Sequence, residues 1–399
     1  MRILFVAMAN SIHTARWIGQ IAGLGWDLHV FPSLDFGVAH PELTQITVHH
    51  SFYGRRGNAS PDVRLRGIRL GLSSFAYLAR VATERVLPEY RTAMLARLVE
   101  RLRPDIVHSL EFQQGGYLTL GAKQRISGRF PPWIATNWGS DIYLFGRLPA
   151  HKRQIAGVLT ECDYYSCECH RDVSLAREFG LRGEVLPVLP NAGGYDLEEA
   201  ARLRAPGPIS ARRFIMLKGY QSWAGRALVG LRALERCVDL LSGYQVVIFS
   251  ANDDVRLAAE LFAATTRVDT TVLPPETPHR EILAYHGKAR VSIGLSIGDA
   301  ISTSFLEAFL MGSFPIQSYT SCAHEWAEHG RDALLVPPED PEAVEAALRT
   351  ALTNDDLVDH AAERNWQTAV QRLDHARIQA QVIETYKRIA ARSSASRAA

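Results

Sequence analysis

The fold is decided by residues 291–317, VSIGLSIGDAISTSFLEAFLMGSFPIQ. Residues 291–295 form a short apolar run that predicts a buried strand, and residues 299–304 form a small polar loop. Residues 305–311 are apolar apart from one acid, Glu307, and predict a helix followed by a second strand. In an open parallel α/β sheet, anionic or hydroxylated ligands bind where a strand leads through a polar loop to a helix N-terminus.

Polar side chains cluster in this loop and the first helical turns. Ser302, Thr303 and Ser304 can cap the helix and leave backbone N–H groups facing a ligand. Asp299 lies in the loop and Glu307 lies eight residues later, near the same strand end. Two carboxylates so placed suit two hydroxyl-rich groups held side by side, such as a sugar and a ribose.

The length and composition predict two ordinary globular domains. A chain of 399 residues is too long for one core. Its 47% apolar and 22% charged residues are typical of globular proteins, and a net charge of +2 indicates no particular partner.

Cysteine usage predicts a reducing, cytoplasmic environment, because five cysteines in a long chain do not make a disulfide framework. Cys162, Cys167 and Cys169 stand near His170 but lack a matching second half, so structural cysteines are favoured over a zinc site. We expect no metal and no other cofactor.

The sequence shows no strong signal for a membrane span or a signal peptide. No stretch reaches the ~20 apolar residues of a membrane span. The opening MRILFVAMAN is interpreted as a first strand rather than a signal peptide, and residues 393–399 are predicted to be disordered.

The chain opens with a βαβ pattern: strands at 3–6 and 28–31 flank a helix at 12–24. His13 lies in the first turn of that helix, either as a surface residue or in an active site. The dinucleotide fingerprint GxGxxG is absent after the first strand, which disfavours a nicotinamide or flavin enzyme.

Residues 51–103 are strongly basic, with eleven arginines and four acids, and are predicted to be mostly helical with apolar residues interleaved. A basic amphipathic helix can lie on an anionic membrane or grip an anionic acceptor. A solvated helix face is the competing interpretation. Nucleic acid is disfavoured, since nothing else in the chain supports it.

Further strands are predicted through both halves of the chain, at residues 106–108, 133–136, 163–167, 185–189, 214–217, 245–250, 270–273, 291–295, 314–317 and 334–336. A Pro/Gly turn at residues 190–194 precedes a polar segment, 197–208, where we place the domain boundary. Two α/β halves in series are either two domains facing a cleft or one very long sheet, and the length favours two.

The 291–317 stretch resembles the donor-site motif of retaining GT-B glycosyltransferases of the family 4 type. That motif is an acid, seven residues and Glu, followed by Ala, a small-residue turn and a buried strand; here Asp299 replaces the usual first Glu, and Glu307-Ala308 follows. Residues 191–193, Asn-Ala-Gly, are similar to the family's PNG turn. Gly139-Ser140-Asp141 is similar to its HGSD loop, with Trp138 in place of the usual His.

The resemblance implies a GT-B fold of two Rossmann-like, doubly wound α/β domains facing a cleft. The predicted domains are an acceptor-binding domain at 1–200, a nucleotide-sugar-binding domain at 201–375, and a C-terminal helix with a disordered tail at 376–399 that crosses back to the first domain.

The family grips the donor diphosphate with a Gly-Arg…Lys-Gly stretch, and here both basic positions are displaced. Lys218 and Arg226 are the candidates for that work, and together with Asp299 they form the predicted catalytic set. Such charge-assisted contacts to phosphate are strong. The alternative is that both cations face solvent.

The remaining implied site residues fall into two groups. The donor group comprises Tyr220, Ala300, Ile301, Ser302, Thr303, Ser304 and Glu307. The cleft or acceptor group comprises Asn10, His13, Trp138, Gly139, Ser140, Asp141 and Glu325. Glu307 is assigned to the ribose hydroxyls and Asp299 to the donor sugar.

The implied reaction is transfer of a sugar from a nucleotide diphosphate sugar, UDP favoured over GDP, with retention at the anomeric carbon. The acceptor is a glycan, a lipid-linked molecule or a metabolite. Alternatives are a nucleotide-sugar epimerase or phosphorylase of the same fold, or a non-catalytic sugar-nucleotide-binding protein. The expected location is cytoplasmic, with peripheral contact to the membrane's inner face through residues 51–103.

Overall fold

The computed structural model describes residues 1–54 and 59–398, with side chains of the last helix described to residue 393. The chain forms two compact units, each with its own parallel sheet. Unit 1 comprises Met1–Gly193 and the chain from Ala376, and unit 2 comprises Gly194–His375. The expected α/β class with two Rossmann-like domains is therefore confirmed, and one continuous sheet is excluded.

Unit 1 contains an eight-stranded sheet in the order β4-β3-β2-β1-β5-β6-β7-β8, with parallel pairing throughout. Its strands are β1 (Arg2–Ala7), β2 (Asp27–Pro32), β3 (Thr47–Tyr53), β4 (Arg64–Arg69), β5 (Ile106–Leu110), β6 (Trp133–Thr136), β7 (Tyr164–Ser166) and β8 (Glu184–Val185). Strands β1 and β5 are almost entirely buried, as expected of parallel strands covered by helices on both faces.

Helices cover both faces of this sheet. They are α1 (Ile12–Ala22), α2 (Ser73–Val86), α3 (Tyr90–Leu102), α4 (Tyr117–Arg125), α5 (Ser140–Tyr143), α6 (Pro149–Glu161) and α7 (His170–Glu178). Helix α1 begins where the sequence predicts, because the Ser11 hydroxyl caps it by accepting from the His13 amide.

The basic segment 51–103 differs from its prediction. Among its described residues, the first part is not helical. Strand β3 extends to Tyr53, β4 (Arg64–Arg69) pairs with β3 as an additional edge strand, and the first helix begins only at Ser73. The three arginines of β4 led us to assign this stretch to a basic helix, although Val63-Arg64-Leu65-Arg66 alternates apolar and charged residues as an edge strand does. Arg55 and Arg56 lie outside the described residues.

Unit 2 contains a six-stranded parallel sheet in the order β11-β10-β9-β12-β13-β14, the 3-2-1-4-5-6 order of a Rossmann domain. Its strands are β9 (Phe214–Lys218), β10 (Gln245–Phe249), β11 (Asp269–Val272), β12 (Ala289–Gly294), β13 (Phe314–Ser318) and β14 (Leu334–Val336). The strand order reverses between β9 and β12, so a ligand site is expected at the carboxyl ends of these two strands.

The helices of unit 2 are α8 (Leu197–Leu203), α9 (Ala227–Arg236), α10 (Asp253–Thr266), α11 (His279–Lys288), α12 (Thr303–Met311), α13 (Pro341–Thr353) and α14 (Asp355–Arg372). Helix α12 begins two residues before the predicted start at 305 and ends at Met311 as predicted, whereas α8 lies in the segment 197–208 that we interpreted as a polar boundary. A separate 3-10 turn, Val238–Leu240, follows α9.

The boundary between the units lies at Gly193–Gly194 rather than at residue 200. The physical reason is that the next residues already belong to unit 2: Tyr195 bridges to Asp374, and the Tyr195 amide donates to the Leu373 carbonyl over 2.8 Å. Ala200 of α8 packs in the same apolar cluster as Phe305 of α12.

The final helix, α15 (His375–Ala398), returns to unit 1. Ile378, Val382 and Tyr386 are buried with α1 and the strands of unit 1. The Tyr386 hydroxyl accepts from the Trp17 indole over 2.9 Å and lies 2.6 Å from Nδ1 of His108. Residues 393–398, predicted to be disordered, continue the helix, because no proline or glycine interrupts it.

Candidate functional site

Three loops meet at the carboxyl ends of β9, β12 and β13 in unit 2. The Arg226 amide donates to the Leu295 carbonyl over 3.0 Å, and the Ile297 amide donates to the Ala224 carbonyl over 2.9 Å. The Ser296 amide donates to the Ser318 hydroxyl over 3.1 Å. These bonds fix the loops to one another, so side chains that follow three different strands are held in one place.

Two glycines permit this close approach. A Cβ on Gly219 would lie 2.7 Å from Cα of Ala251, and a Cβ on Gly225 would lie 2.0 Å from the Tyr220 carbonyl oxygen. Any larger residue at either position would push the loop after β9 away from its neighbours.

Lys218, the last residue of β9, reaches the N-terminus of α12. Its Nζ lies 3.4 Å from the Ser302 hydroxyl, which lies 2.9 Å from the Ser304 hydroxyl. Ser302 occupies the N-cap position of α12, yet its side chain accepts no bond from the helix amides. The structure thus places an ammonium beside helix N–H groups that their own cap does not satisfy, which is an arrangement that favours an anion.

Asp299 and the residues after it form the loop between β12 and α12. Oδ1 of Asp299, which is partly exposed, accepts from the Ala300 amide over 3.0 Å. The side chains of Ala300 and Ile301 are buried, so only their backbone groups are available to contact a nucleotide-sugar donor. Thr303 is partly exposed at the first position of α12.

Glu307 lies on the second turn of α12 and is only 4% exposed. Its Oε1 lies 2.6 Å from Nε2 of His279, the first residue of α11, and accepts more weakly from the Tyr195 hydroxyl over 3.4 Å. His279 keeps about a third of its side chain exposed, at 32%, and its ring stacks near the Tyr195 ring at 6.3 Å. Glu307, the residue predicted to bind the ribose, is therefore held in place by two aromatic side chains, His279 and Tyr195.

A buried histidine lies on the other side of this carboxylate. Nε2 of His286 is 3.9 Å from Oε2 of Glu307, and its Nδ1 is 2.8 Å from the Ser292 hydroxyl. Burial lowers the pKa of His286 to about 4, although Glu307 acts in the opposite direction. His286 is therefore neutral at pH 7 and adds no positive charge beside Glu307.

Arg226, predicted to grip the diphosphate, is used mainly to organise its own loop. Its Nε donates to Glu339 over 2.9 Å, and its Nη1 donates to the Gly225 carbonyl over 2.8 Å and more weakly to two others. Tyr220, another predicted donor residue, lies in the same loop and is partly exposed. The structure brings Lys218, not Arg226, into contact with the α12 loop.

Glu325 lies in unit 2 as well, in the 3-10 turn Ala323–Glu325 that follows β13. It is partly exposed, and its carbonyl accepts from Nη1 of Arg372 over 2.9 Å.

In unit 1, the predicted residues lie at the carboxyl ends of β1 and β6. Asn10 is exposed in the turn after β1, and His13 is partly exposed in the first turn of α1. The His13 ring lies 5.6 Å from the Trp138 ring in a tilted arrangement. Trp138 is half-buried and packs against the apolar core of unit 1, so the structure brings two of the predicted acceptor residues together.

The loop after β6 is built on a buried acid. Asp141 accepts from the Trp138 amide over 2.9 Å and from the Phe112 amide over 3.0 Å, and Gly139 adopts a φ of 101°. Ser140, partly exposed, begins α5. Burial, with help from the neighbouring Glu111, raises the pKa of Asp141 to about 8. Asp141 is only 4% exposed, so its carboxyl group stabilises the backbone of this loop from the protein interior.

Sequence reasoning missed His279, His286, Tyr195 and Glu111. Glu111 carried a usable signal, since it directly follows the buried strand β5; it accepts from the Gly115 amide over 2.6 Å, and burial raises its pKa to about 7. The other three lie 28, 21 and 112 residues from Glu307 and no local pattern connects them to it.

Comparison with known proteins supports the resemblance to GT-B glycosyltransferases. Residues 85–164 match a family model described as "Glycosyl transferase 4-like". No curated protein sequence matches the chain.

Solved structures match almost the whole chain. Sucrose-phosphate synthase from Thermosynechococcus elongatus is 15% identical with a TM-score of 0.71, covering 98% of this chain and 99% of that one. HepE from Anabaena, in complex with UDP-glucose, is 13% identical with a TM-score of 0.66, covering 97% and 99%. Trehalose 6-phosphate synthase from Burkholderia multivorans is 12% identical with a TM-score of 0.68, covering 99% and 98%. The GT-B fold expected from the resemblance is confirmed.

Proposed function

We propose that this chain is a glycosyltransferase that transfers a sugar from a nucleotide diphosphate sugar, UDP favoured over GDP, with retention at the anomeric carbon. The observation that carries the proposal is the carboxyl edge of the unit 2 sheet, where Lys218 and the uncapped N-terminus of α12 lie in the loop region that also holds Asp299. The GT-B fold and the family match at residues 85–164 support the reaction class.

The leaving diphosphate gains negative charge as the bond to the sugar breaks. Lys218 and the first amides of α12 supply fixed positive charge for it, and they need no reorganisation because β9 and the Ser302 hydroxyl already position them. We assign this role to these groups without a metal or other cofactor, and we place Arg226 in support of the loop.

Glu307 holds the ribose hydroxyls of the donor in this proposal. Its carboxyl group is held by His279 and Tyr195, so it accepts from a hydroxyl without needing to reorient. Asp299, on the partly exposed loop before α12, orients the transferred sugar together with the backbone of Ala300 and Ile301.

The acceptor is a glycan, a lipid-linked molecule or a metabolite, and we assign it to unit 1. The support is the pair His13 and Trp138 at the carboxyl ends of β1 and β6, where open parallel sheets bind ligands.

We also propose a cytoplasmic location and peripheral contact with an anionic membrane through residues 51–103. No helix among the described residues is long and apolar enough to cross a bilayer.

The test is to incubate the purified chain with a panel of UDP- and GDP-sugars and to measure UDP or GDP released as the sugar is transferred to water or to an added acceptor. Release from at least one donor, strongly reduced in Lys218→Met, is expected. A folded chain that binds no nucleotide sugar refutes the proposal, and binding without release supports a non-catalytic binding protein. Interconversion of the nucleotide sugar without release identifies an epimerase.

A further inference from the structure

Exposed apolar residues concentrate in one segment of unit 1, residues 68–87. Among the described residues, 18 large apolar side chains are exposed, and eight of them lie in these 20 positions. The eight are Ile68, Leu72, Phe75, Tyr77, Leu78, Val81, Val86 and Leu87. Contiguous exposed apolar surface of this kind marks an interaction site in a folded protein.

Helix α2 carries five of these eight residues, and three of the five, Phe75, Leu78 and Val86, lie on a single stripe. Phe75, Leu78, Ala82 and Val86 recur at helical spacing, and all four are exposed, with Phe75 at 57% and Leu78 at 58%. The buried positions, Ala76 and Arg80, occupy the opposite side of the helix. The apolar face of this amphipathic helix therefore points away from unit 1.

Arg80 fixes this orientation. Its Nη1 donates to the Phe52 carbonyl over 2.7 Å, and its Nη2 donates to the Phe36 carbonyl over 3.1 Å. These carbonyls belong to the end of β3 and to the loop after β2. The charged residue that a soluble helix would expose is thus turned inward, and the helix cannot roll to bury its apolar stripe without breaking both bonds.

The chain beside the stripe is rich in arginine. Arg64, Arg66 and Arg69 are exposed on β4, the edge strand that precedes α2 in the chain, and Arg85 is exposed on α2 itself. The exposed acids of the segment 61–90 are Asp62, Glu84 and Glu89, and Glu89 is paired with Arg125. A two-fold contact between copies of this chain would bring the same arginines together, which opposes self-association.

We propose that α2 docks this protein on an anionic lipid membrane, with its apolar stripe among the acyl chains and the arginines of β4 at the headgroups. The helix has 14 residues, about 21 Å in length, so it lies in the interface rather than crossing the bilayer. The sequence predicted a basic amphipathic helix somewhere in residues 51–103, and the structure identifies α2 as that helix and shows which of its apolar side chains are exposed. A consequence that rests on the proposed function is that the acceptor is lipid-linked.

The test is co-sedimentation of the full chain with vesicles of phosphatidylcholine, with and without phosphatidylglycerol. We expect binding to the anionic vesicles that persists in part at high salt. Phe75→Ser with Leu78→Ser is expected to weaken binding by on the order of a hundredfold, since each large apolar side chain contributes about tenfold or more. Neutralising Arg64, Arg66 and Arg69 to Gln is expected to weaken it about tenfold or more at low salt.

A matched control is Leu257→Ser with Leu261→Ser, two leucines on α10 of unit 2 that are equally exposed at 62% and 59%. This control is expected to bind like the unaltered chain. Absence of binding to anionic vesicles, or equal loss in both serine pairs, overturns the proposal. A dimer in light scattering that Phe75→Ser with Leu78→Ser dissociates would assign the stripe to a second copy instead. None of these measurements depends on sugar transfer, so their outcome tests the membrane contact separately from the proposed transferase reaction.

Discussion

Replacing Glu307 by Gln tests the donor site most directly, because it removes a charge and leaves the shape unchanged. Gln can still accept from His279 and Tyr195 through its side-chain oxygen, so the free energy of unfolding should fall by no more than about 1 kcal/mol. Glu307→Ala is less informative, since it would leave both partners unpaired in a nearly buried position.

The expected loss of nucleotide affinity is much larger. Hydrogen bonds to a charged group contribute about 1.5–3 kcal/mol and those between neutral groups about 0.5–1.5 kcal/mol, so each ribose hydroxyl loses roughly 1–1.5 kcal/mol. For two hydroxyls the sum is about 2–3 kcal/mol, which corresponds to a roughly 30- to 150-fold weaker Kd for UDP.

The assay is calorimetric titration with UDP, with urea unfolding of the same protein samples. Asp332→Asn is the matched control, because Asp332 is also buried in unit 2 but pairs with Arg364 and Arg331. The control should bind UDP normally. If folded Glu307→Gln binds UDP within about threefold of the unaltered chain, the assignment of this carboxylate to the ribose is wrong.

Four further predictions follow from the same contacts. Lys218→Met should weaken nucleotide diphosphate binding by roughly tenfold or more, with little effect on the urea midpoint of unfolding. Arg226→Met should lower the urea midpoint more than it lowers the binding affinity. The opposite result for the two variants would assign the phosphate contact to Arg226. Asp299→Asn should lower turnover far more than stability, and equal losses would show a structural acid. Tyr386→Phe should lower the free energy of unfolding by about 2–3 kcal/mol in denaturant titrations, because two buried partners lose the hydroxyl; an unchanged midpoint would contradict the contact. Since an unfolded His binds a proton near pH 6.5 and His286 stays neutral to about pH 4, the unaltered chain should lose stability relative to His286→Gln as pH falls between those values, and a constant difference would show that its pKa is ordinary.

Several features of this protein follow from local sequence patterns. The strands β1, β6 and β12 and the helix α1 are encoded by runs and periodicities within about a dozen residues, so their bounds could be predicted closely. The loop between β12 and α12 was located for the same reason, because strand, polar loop and helix follow one another directly in the chain.

Other features were decided by contacts between distant residues. Strand β4 exists because β3 offers it an open edge, whereas its arginines led us to assign the stretch to a basic helix. Arg226 was assigned to phosphate by its position in the sequence, yet the fold provides Glu339 and three carbonyls for its guanidinium.

The sequence by itself determined that two parallel α/β sheets form and that acids and hydroxyls gather at a strand end, because periodicity and chain order are local properties. Only the tertiary structure decided which side chains surround Glu307 and which face of α2 remains exposed. Burial and pairing depend on residues brought together across the fold, such as His279 and Tyr195 at Glu307, or the two carbonyls that hold Arg80.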